Sequence, residues 1–179
     1  MNDYKTLETD RLLIKPTTTN DADLVYKLFN TTHWIRYIGD RKVESIKAAV
    51  AYIENSMLPQ LKELGYSNYT VIRKSDQRKM GSVGLYDREG VEGIDIGFAF
   101  LPEYRKKGYA FEASKRLLQA AFEDFKLKEK KAITKKDNIS SQKLIEKLGL
   151  KLQGTTGLPN ETAEWLLYKI EINAFCTAK

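Results

Sequence analysis

The hydrophobic positions change their period several times along the chain, and each change marks a new structural element. In DRLLIKP (10–16), apolar and polar residues alternate, which predicts a half-buried strand. TNDADLVYKLF (19–29) carries apolar residues at helical spacing, and we expect Asn20 to cap this helix. THWIRYIGD (32–40) lies between two helical patterns and is predicted to be a loop.

A second helical region covers about residues 43–64, where apolar residues again recur at helical spacing. We expect Pro59 to divide this region, because proline lacks the backbone N–H that a helix interior needs. We expect Gly65 to cap its end. The residues expected on its apolar face are Ile46, Ala49, Val50 and Ile53.

The middle of the chain changes to a β-rich pattern. Two turn-like segments, SDQR and DREGVE, separate three such runs, which are SNYTVIRK (67–74), KMGSVGLY (79–86) and GIDIGFAF (93–100). Runs joined by short turns favour pairing between neighbours in sequence. The pattern therefore predicts three consecutive antiparallel strands.

The last third of the chain alternates between helix and strand. Helical spacing returns over 108–125, and KKAITK (130–135) predicts a short strand. NISSQKLIEKL (138–148) predicts a helix that Asn138 caps and Gly149 follows. Two final strands are predicted, LKLQG (150–154) and AEWLLYKIEI (163–172).

The predicted element order is β-α-α-β-β-β-α-β-α-β-β. This order is typical of an α/β (α+β) domain with a mixed, mostly antiparallel sheet of about seven strands and helices on both faces. The sequence contains no internal repeat, linker or low-complexity tract, so we expect residues 1–179 to form a single domain.

Composition narrows the class of protein. Hydrophobic residues make up 42% of the chain and charged residues 30%, which is typical of a globular protein. No apolar run approaches the roughly 20 residues that span a bilayer, and the N-terminus lacks the apolar core of a secretory signal. The single cysteine, Cys176, cannot form an internal disulfide. We therefore expect a cytoplasmic protein without a membrane partner.

The net charge of +6 is compatible with nucleic acid, an anionic membrane or a polyphosphate ligand as a partner. The lysines are densest in KLKEKKAITKK (126–136), which is either a solvated basic face or an RNA-binding surface. Charge alone does not decide between these interpretations.

Several well-known site motifs are absent from the sequence. No G-x-G occurs, which argues against the dinucleotide-binding fingerprint. One G-x-x-x-x-G runs from Gly149 to Gly154, but Thr155 follows where a P-loop requires lysine. G-x-S-x-G, H-E-x-x-H and C-x-x-C are also absent, and His33 is the only histidine. A histidine-based triad or metal site is therefore not expected.

The stretch EYRKKGYAFEA (103–113) has the features of a phosphate site. Arg105, Lys106 and Lys107 precede Gly108, after which a helix is predicted to begin. The first backbone N–H groups of a helix have no partner within it, and the helix dipole favours negative charge there. Gly108 lacks a Cβ, so a diphosphate could lie directly against the backbone. An exposed basic turn is the alternative interpretation.

Arg105-x-x-Gly108-x-Ala110 resembles the (Q/R)-x-x-G-x-(G/A) acetyl-CoA motif of the GNAT superfamily of N-acetyltransferases. Its surroundings resemble the RimJ/RimL-like branch, whose best-known members acetylate N-terminal amines of ribosomal proteins. The segments that carry this resemblance are 8–12, 96–98, 101–103, 112–113, 138–141 and 146–149. Two positions depart from the branch: Leu150 stands where phenylalanine is usual, and Lys106 where glycine is common.

The resemblance implies a GNAT-like fold and an acetyl-CoA-dependent N-acetyltransferase. The acetyl group would pass to a primary amine of a small molecule or a peptide, with a ribosomal protein N-terminus as one candidate. No direct nucleic-acid partner is required, and a monomer or homodimer is expected. Two alternatives remain open: a non-catalytic acyl-CoA sensor on the same fold, and a basic RNA- or ribosome-binding module.

The resemblance also implies which residues bind the cofactor. Strand 94–101 would separate from strand 130–135, so that the pantetheine arm of coenzyme A adds between them like a strand. The diphosphate would lie on the backbone amides of 106–110, with Asn138 against the arm. The residues implied in cofactor binding are Phe98, Ala99, Phe100, Arg105, Lys106, Lys107, Gly108, Tyr109, Ala110, Asn138 and Ser141.

The leaving group of the implied acetyl transfer is a thiolate. Because a thiol has a pKa near 8.5, the thiolate leaves with little help, and a strong general acid is not essential. Many GNAT enzymes carry a tyrosine four residues before the last helix glycine, but this chain has Ile145 there. Ser141 is then the family-like substitute, or it only helps to cap its helix.

Asp95 is the candidate general base, and Glu92 and Glu164 are rivals. A water relay from any of them would also suffice, and a reaction without a single base residue is a further alternative. For the amine acceptor, Trp34, Arg36 and Tyr37 are candidate pocket residues, although an aromatic cluster of this kind also suits a hydrophobic core. The sequence identifies neither the amine nor the oligomeric state.

Overall fold

The computed structural model describes residues 4–159 and 161–173. Cys176 lies outside the described residues. The strands are β1 (Leu7–Glu8), β2 (Leu12–Pro16), β3 (Asn68–Arg73), β4 (Lys79–Asp87), β5 (Ile94–Phe100), β6 (Glu129–Lys135), β7 (Lys151–Gly157) and β8 (Glu164–Glu171). The helices are α1 (Ala22–Phe29), α2 (Thr32–Tyr37), α3 (Ile46–Tyr52), α4 (Leu58–Leu64), α5 (Tyr109–Glu123) and α6 (Ile139–Lys147).

The strands of the described chain form one sheet in the order β1-β2-β3-β4-β5-β6-β8-β7. Every neighbouring pair is antiparallel except β5 and β6, which run parallel and pair only where Asp95 lies opposite Lys131. The prediction of a mixed, mostly antiparallel sheet is confirmed. Beyond Asp95 the two central strands separate, as the resemblance implied, and this separation opens the centre of the sheet.

Two predictions about the first helices are wrong. Asn20 does not cap α1, because a short 3-10 turn over Thr19–Asp21 precedes it and a capping box between Thr18 and Asp21 holds that turn. The segment 32–40 is not all loop, because α2 spans its first six residues. The side-chain oxygen of Thr31 accepts a hydrogen bond from the Trp34 N–H and so starts this helix.

The region predicted as a divided helix is divided one turn earlier than expected. A π-helical segment, Ile53–Met57, separates α3 from α4, and Pro59 lies in the first turn of α4, where its missing N–H costs nothing. Gly65 ends α4 with a φ of 79°, as predicted. Ile46 does not belong to the apolar face, since it is 47% exposed.

Helix α5 packs on the sheet through small and branched side chains. Ala113, Leu117 and Ala121 are fully buried, and α5 contacts β4 and β5. Helix α6 begins at the Asn138 cap and is followed by Gly149 with a φ of 92°, as predicted. None of the described helices is long and apolar enough to cross a membrane.

The lysines of 126–136 do not form a free basic face. Lys130 is 1% exposed, and burial lowers its pKa to about 8. Lys131 and Lys135 donate to the backbone carbonyls of Glu92 and Arg36 at 2.5 and 2.9 Å. Lys136 pairs with Glu164, so four of the six lysines in this segment have contacts within the protein, which weakens its RNA-binding interpretation.

Candidate functional site

A cavity of about 810 Å³ opens where β5 separates from β6. This volume lies within the range of pockets that hold cofactors and drug-sized ligands, about 300–1,000 Å³. Residues from α2, the start of α5, the start of α6 and the loop between β7 and β8 line it. The site is therefore assembled from segments that are far apart in the sequence.

The turn before α5 presents unpaired backbone N–H groups at one end of the cavity. Gly108 has a φ of 83° and directly precedes the 15-residue helix, which has no side-chain cap. A Cβ at this position would be strained and would lie 3.3 Å from the Nη2 atom of Arg11. The open amides and the helix dipole suit the oxyanions of a phosphate group.

Two interactions hold this turn in place. Arg105 Nε donates to the carbonyl oxygen of Phe100 at 2.8 Å, which ties the turn to the end of β5. Arg11 Nη1 donates to the carbonyl oxygen of Lys107 at 3.3 Å from the opposite side. Lys106 and Gly108 line the cavity, whereas Lys107 does not.

Strand β5 supplies the long wall of the cavity. Phe98, Ala99 and Phe100 all line it and lie beyond Asp95, the last residue of β5 that pairs with β6. Their backbone therefore faces the gap between the two strands. An extended ligand could add to this edge by main-chain hydrogen bonds.

The start of α6 faces the same gap. Asn138 Oδ1 accepts hydrogen bonds from the Ser141 N–H at 3.3 Å and from Ser140 Oγ at 3.0 Å. The Ser141 hydroxyl lines the cavity and has no hydrogen-bond partner among the described residues. Ile145 stands one turn later, 1% exposed, and adds an apolar surface to the cavity wall.

Helix α2 covers the other side of the cavity. Trp34 stacks on Phe29 with ring centroids 3.9 Å apart, so it serves both the core and the cavity wall. His33 and Tyr37 also line the cavity, with their rings edge to face at 4.7 Å. Burial, then the charges of Arg105 and Arg36, lowers the pKa of His33.

Arg36 is not brought to the cavity with its neighbours. Its Nη2 atom pairs with Asp137 Oδ2 at 2.8 Å, and its side chain is 63% exposed. This pair holds the end of α2 against the start of α6, so Arg36 helps to close the site from outside.

Asp95 is 1% exposed and lines the cavity. Arg88 donates to it twice, from Nε to Oδ1 at 3.1 Å and from Nη2 to Oδ2 at 3.2 Å. Burial raises the pKa of Asp95, while the charge of Arg88 opposes this rise. Neither rival base lines the cavity; Glu164 is exposed and pairs with Lys136.

Sequence reasoning missed Tyr86, whose ring lies flat across two glycines on neighbouring strands. Gly84 and Gly97 are cross-strand partners, and a Cβ on them would lie 2.3 Å from Tyr86 Oη and 2.9 Å from Tyr86 Cε2. Tyr86 Oη donates to Asn68 Oδ1 at 2.6 Å. Glycines inside apolar strands indicate a close approach of this kind and were the available signal.

The cavity wall contains further residues that the sequence did not indicate. They come from the loop after α2, from α3, from β4 and its end, and from the loop and strand at β8, and they include Arg41, Tyr52, Arg88, Glu161 and Trp165. The described residues contain no group of three or more His, Cys, Asp and Glu side chains that could hold a metal ion.

Comparison with known proteins identifies the relatives of this chain. Residues 11–151 match the model of the acetyltransferase (GNAT) domain family. The chain is 25% identical over 174 residues to the uncharacterized N-acetyltransferase YoaA of Bacillus subtilis (strain 168), covering 93% of this chain and 98% of YoaA.

Two solved structures share the fold. The ribosomal-protein-S5-alanine acetyltransferase from Vibrio fischeri superposes with a TM-score of 0.78 at 17% identity, covering 93% of this chain and 96% of that one. The microcin C7 self immunity acetyltransferase MccE, in complex with acetyl-CoA and AMP, gives a TM-score of 0.76 at 20% identity, covering 92% and 94%.

Proposed function

The chain belongs to the acetyltransferase (GNAT) family, and from that premise we propose that it transfers the acetyl group of acetyl-CoA to a primary amine. The amine nitrogen forms a bond to the acetyl carbonyl carbon, the carbon–sulfur bond breaks, and coenzyme A leaves as a thiolate. The amine loses a proton in the same conversion. The observation that carries this proposal is the uncapped start of α5 beside the gap between β5 and β6.

The residues of the cavity fit acetyl-CoA. The diphosphate would bind the backbone amides of 106–110, and Gly108 lets this turn adopt a φ of 83° that other residues rarely adopt. The arm would run along Phe98, Ala99 and Phe100 towards Asn138. Acetyl-CoA supplies the activated thioester, and the protein supplies orientation and hydrogen-bond donors. Support comes from the family and from MccE, whose structure contains acetyl-CoA.

We assign the hydroxyl of Ser141 the role of hydrogen-bond donor to the leaving thiolate. The hydroxyl has no partner among the described residues and lies at the helix start that faces the gap. A hydroxyl donor there would stabilise negative charge that develops on sulfur. The neighbouring Ile145 has no proton to give, so no side chain at that position competes for this role.

We assign Asp95 the role of general base, which accepts the proton of the amine through a bridging water. Burial raises the pKa of this carboxyl, which makes it a stronger base than an ordinary aspartate. Arg88 occupies one lone pair on each carboxylate oxygen, so a water rather than the amine itself is the expected contact. Trp34 and Tyr37 would shape the apolar wall against which the acceptor lies.

Within the family we favour the RimJ/RimL-like branch, with a protein N-terminus or a small-molecule amine as acceptor. The motifs around Arg105 and Asn138 support this assignment. The shared fold of the Vibrio fischeri enzyme, named for acetylation of a ribosomal protein alanine, is compatible with it.

The test is calorimetric titration with acetyl-CoA, followed by an amine panel with detection of free thiol. We expect one-to-one binding and amine-dependent thiol release. Gly108→Glu should abolish binding, because a side chain is strained at the φ of 83° that shapes this turn and its negative charge repels phosphate. Gly65→Glu is the matched control, since Gly65 also has a positive φ, of 79°, and a Cβ there meets no atom within 4 Å. A wild-type protein that does not bind acetyl-CoA would refute the proposal.

A further inference from the structure

The guanidinium of Arg88 uses only one of its two hydrogen-bonding edges. Nε and Nη2 both donate to Asp95, which occupies the side edge of the guanidinium. Nη1 has no hydrogen-bond partner among the described residues. The end edge, formed by Nη1 and the second proton of Nη2, is therefore open. A guanidinium can bind a second carboxylate through this edge without releasing the first.

The protein holds this open edge in a fixed position. Asp95, which anchors it, is 1% exposed, and the Arg88 side chain is 28% exposed. The Tyr86 ring lies 5.7 Å from the Arg88 guanidinium carbon, and Tyr86 is itself held by Asn68. Both Arg88 and Asp95 line the cavity. The open edge is a preorganised donor pair rather than a free surface side chain.

The charged groups around Arg88 are mixed in sign. Arg41 lines the cavity and forms no ion pair with any described residue. Asp87, next to Arg88 in sequence, and Glu161 also line the cavity, whereas Asp95 is already paired with Arg88. The net local charge therefore does not select an anion, and the selective feature is the open donor pair of Arg88.

We propose that the open edge of Arg88 binds a carboxylate of the acceptor. The substrate class is then an amine that also carries a carboxylate, such as an amino acid or a short peptide, rather than a polyamine. This inference rests on the proposed acetyl transfer and adds a substrate class to it. Arg88 acts as a specificity-determining residue, and Asp95 holds it in place.

The experiment compares matched pairs of acceptors that differ only in one group. Each carboxylate-bearing amine, with one to six carbons between nitrogen and carboxyl, is assayed beside its neutral carboxamide. We expect wild-type kcat/KM to favour the carboxylate by about tenfold or more, as for loss of a bidentate charged contact. Arg88→Lys should retain part of this preference, and Arg88→Met/Asp95→Asn should lose it.

The preference is a ratio within one variant, so a general loss of rate cancels from it. Arg78→Met is the matched control, because Arg78 is 70% exposed and does not line the cavity; its ratio should equal that of the wild type. Calorimetric binding of acetyl-CoA is measured for every variant. Equal turnover of acids and amides, or turnover of no carboxylate-bearing amine, overturns the inference. If the wild type binds acetyl-CoA while either of these two outcomes is found, the Arg88 inference has failed and the proposed acetyl-CoA site has not.

Discussion

Arg11 and Glu112 form a two-point ion pair across 101 positions of sequence, with Arg11 Nε and Nη2 at 2.7 and 2.6 Å from Glu112 Oε2. Thr9 Oγ1 donates to the other carboxylate oxygen at 2.6 Å. These contacts hold the turn between β1 and β2 against the first turn of α5. Arg11 also contacts the carbonyl oxygen of Lys107, so the pair supports the proposed phosphate-binding turn directly.

The ion pair between Glu112 and Arg11 should make the free energy of unfolding depend on pH. Burial alone would raise the pKa of Glu112, but hydrogen bonds from Thr9 and Arg11 outweigh it and lower the pKa below 4.5. The stabilisation is then fully present above pH 4.5 and is lost as the pH falls through the folded-state pKa. Glu112→Gln should cost about 1–2 kcal/mol at pH 7 and progressively less towards pH 3.

Urea unfolding of both proteins across this pH range measures the effect. Glu63→Gln is the control, because Glu63 is exposed and forms no ion pair with a described residue. A constant difference between wild type and Glu112→Gln at every pH would contradict the interpretation.

Lys106 and Lys107 are chemically identical neighbours with different backbone requirements. Lys106 has a φ of 59°, in the left-handed region, and Lys107 is outside that region. Lys106→Gly should therefore stabilise the fold by about 0.5–1 kcal/mol, and Lys107→Gly should destabilise it by a similar amount. Thermal unfolding of the two variants checks this prediction. Destabilisation by both glycines would show that the left-handed turn stores no strain.

The sequence predicted the strands within 10–16 and 93–100 because apolar residues recur there at every second position. It could not predict that β8 lies between β6 and β7, since strand order depends on pairing partners rather than on period. Helix α2 was missed because six residues give too short a periodic pattern, and its start depends on one hydrogen bond to Thr31.

The candidate site likewise has one part that the sequence pattern indicates and another that depends on the folded structure. The turn at 105–110 is local in sequence, so its residue types alone were enough to propose a phosphate site, which stays a prediction. The rest of the cavity wall joins β4, β5, α2 and the β7–β8 loop, and its contacts between Arg88 and Asp95 and between Tyr86 and Asn68 depend on the folded register. Sequence proposed Asp95 for its place on the strand and gave no sign of its partner.

Ser141 and Ser140 are neighbours with different expected roles, Ser141 in catalysis and Ser140 in capping α6. Both residues line the cavity, but Ser140 Oγ donates to Asn138 Oδ1, whereas the Ser141 hydroxyl has no hydrogen-bond partner among the described residues. Ser141→Ala should lower kcat by about 10- to 100-fold and leave acetyl-CoA affinity within about twofold, because a good leaving thiolate needs only modest help. Ser140→Ala should instead change thermal stability with little effect on kcat. Steady-state kinetics of the two variants, with calorimetry, distinguish these outcomes.

Arg88 and Asp95 should behave as a unit in stability as well as in acceptor choice. Arg88→Met leaves a buried carboxylate without its partner, which should cost about 3–5 kcal/mol at pH 7. Without Arg88, the pKa of Asp95 rises further, so the carboxyl becomes neutral at higher pH and the cost shrinks as the pH falls.

The double variant Arg88→Met/Asp95→Asn removes both charges and should recover most of the lost stability, because no buried charge remains. Chemical denaturation of the wild type, both single variants and the double variant closes the cycle. Additive losses would mean that the two side chains do not interact in solution. In that case Asp95 would not fix the open edge of Arg88, and the preorganised carboxylate site would lose its physical basis.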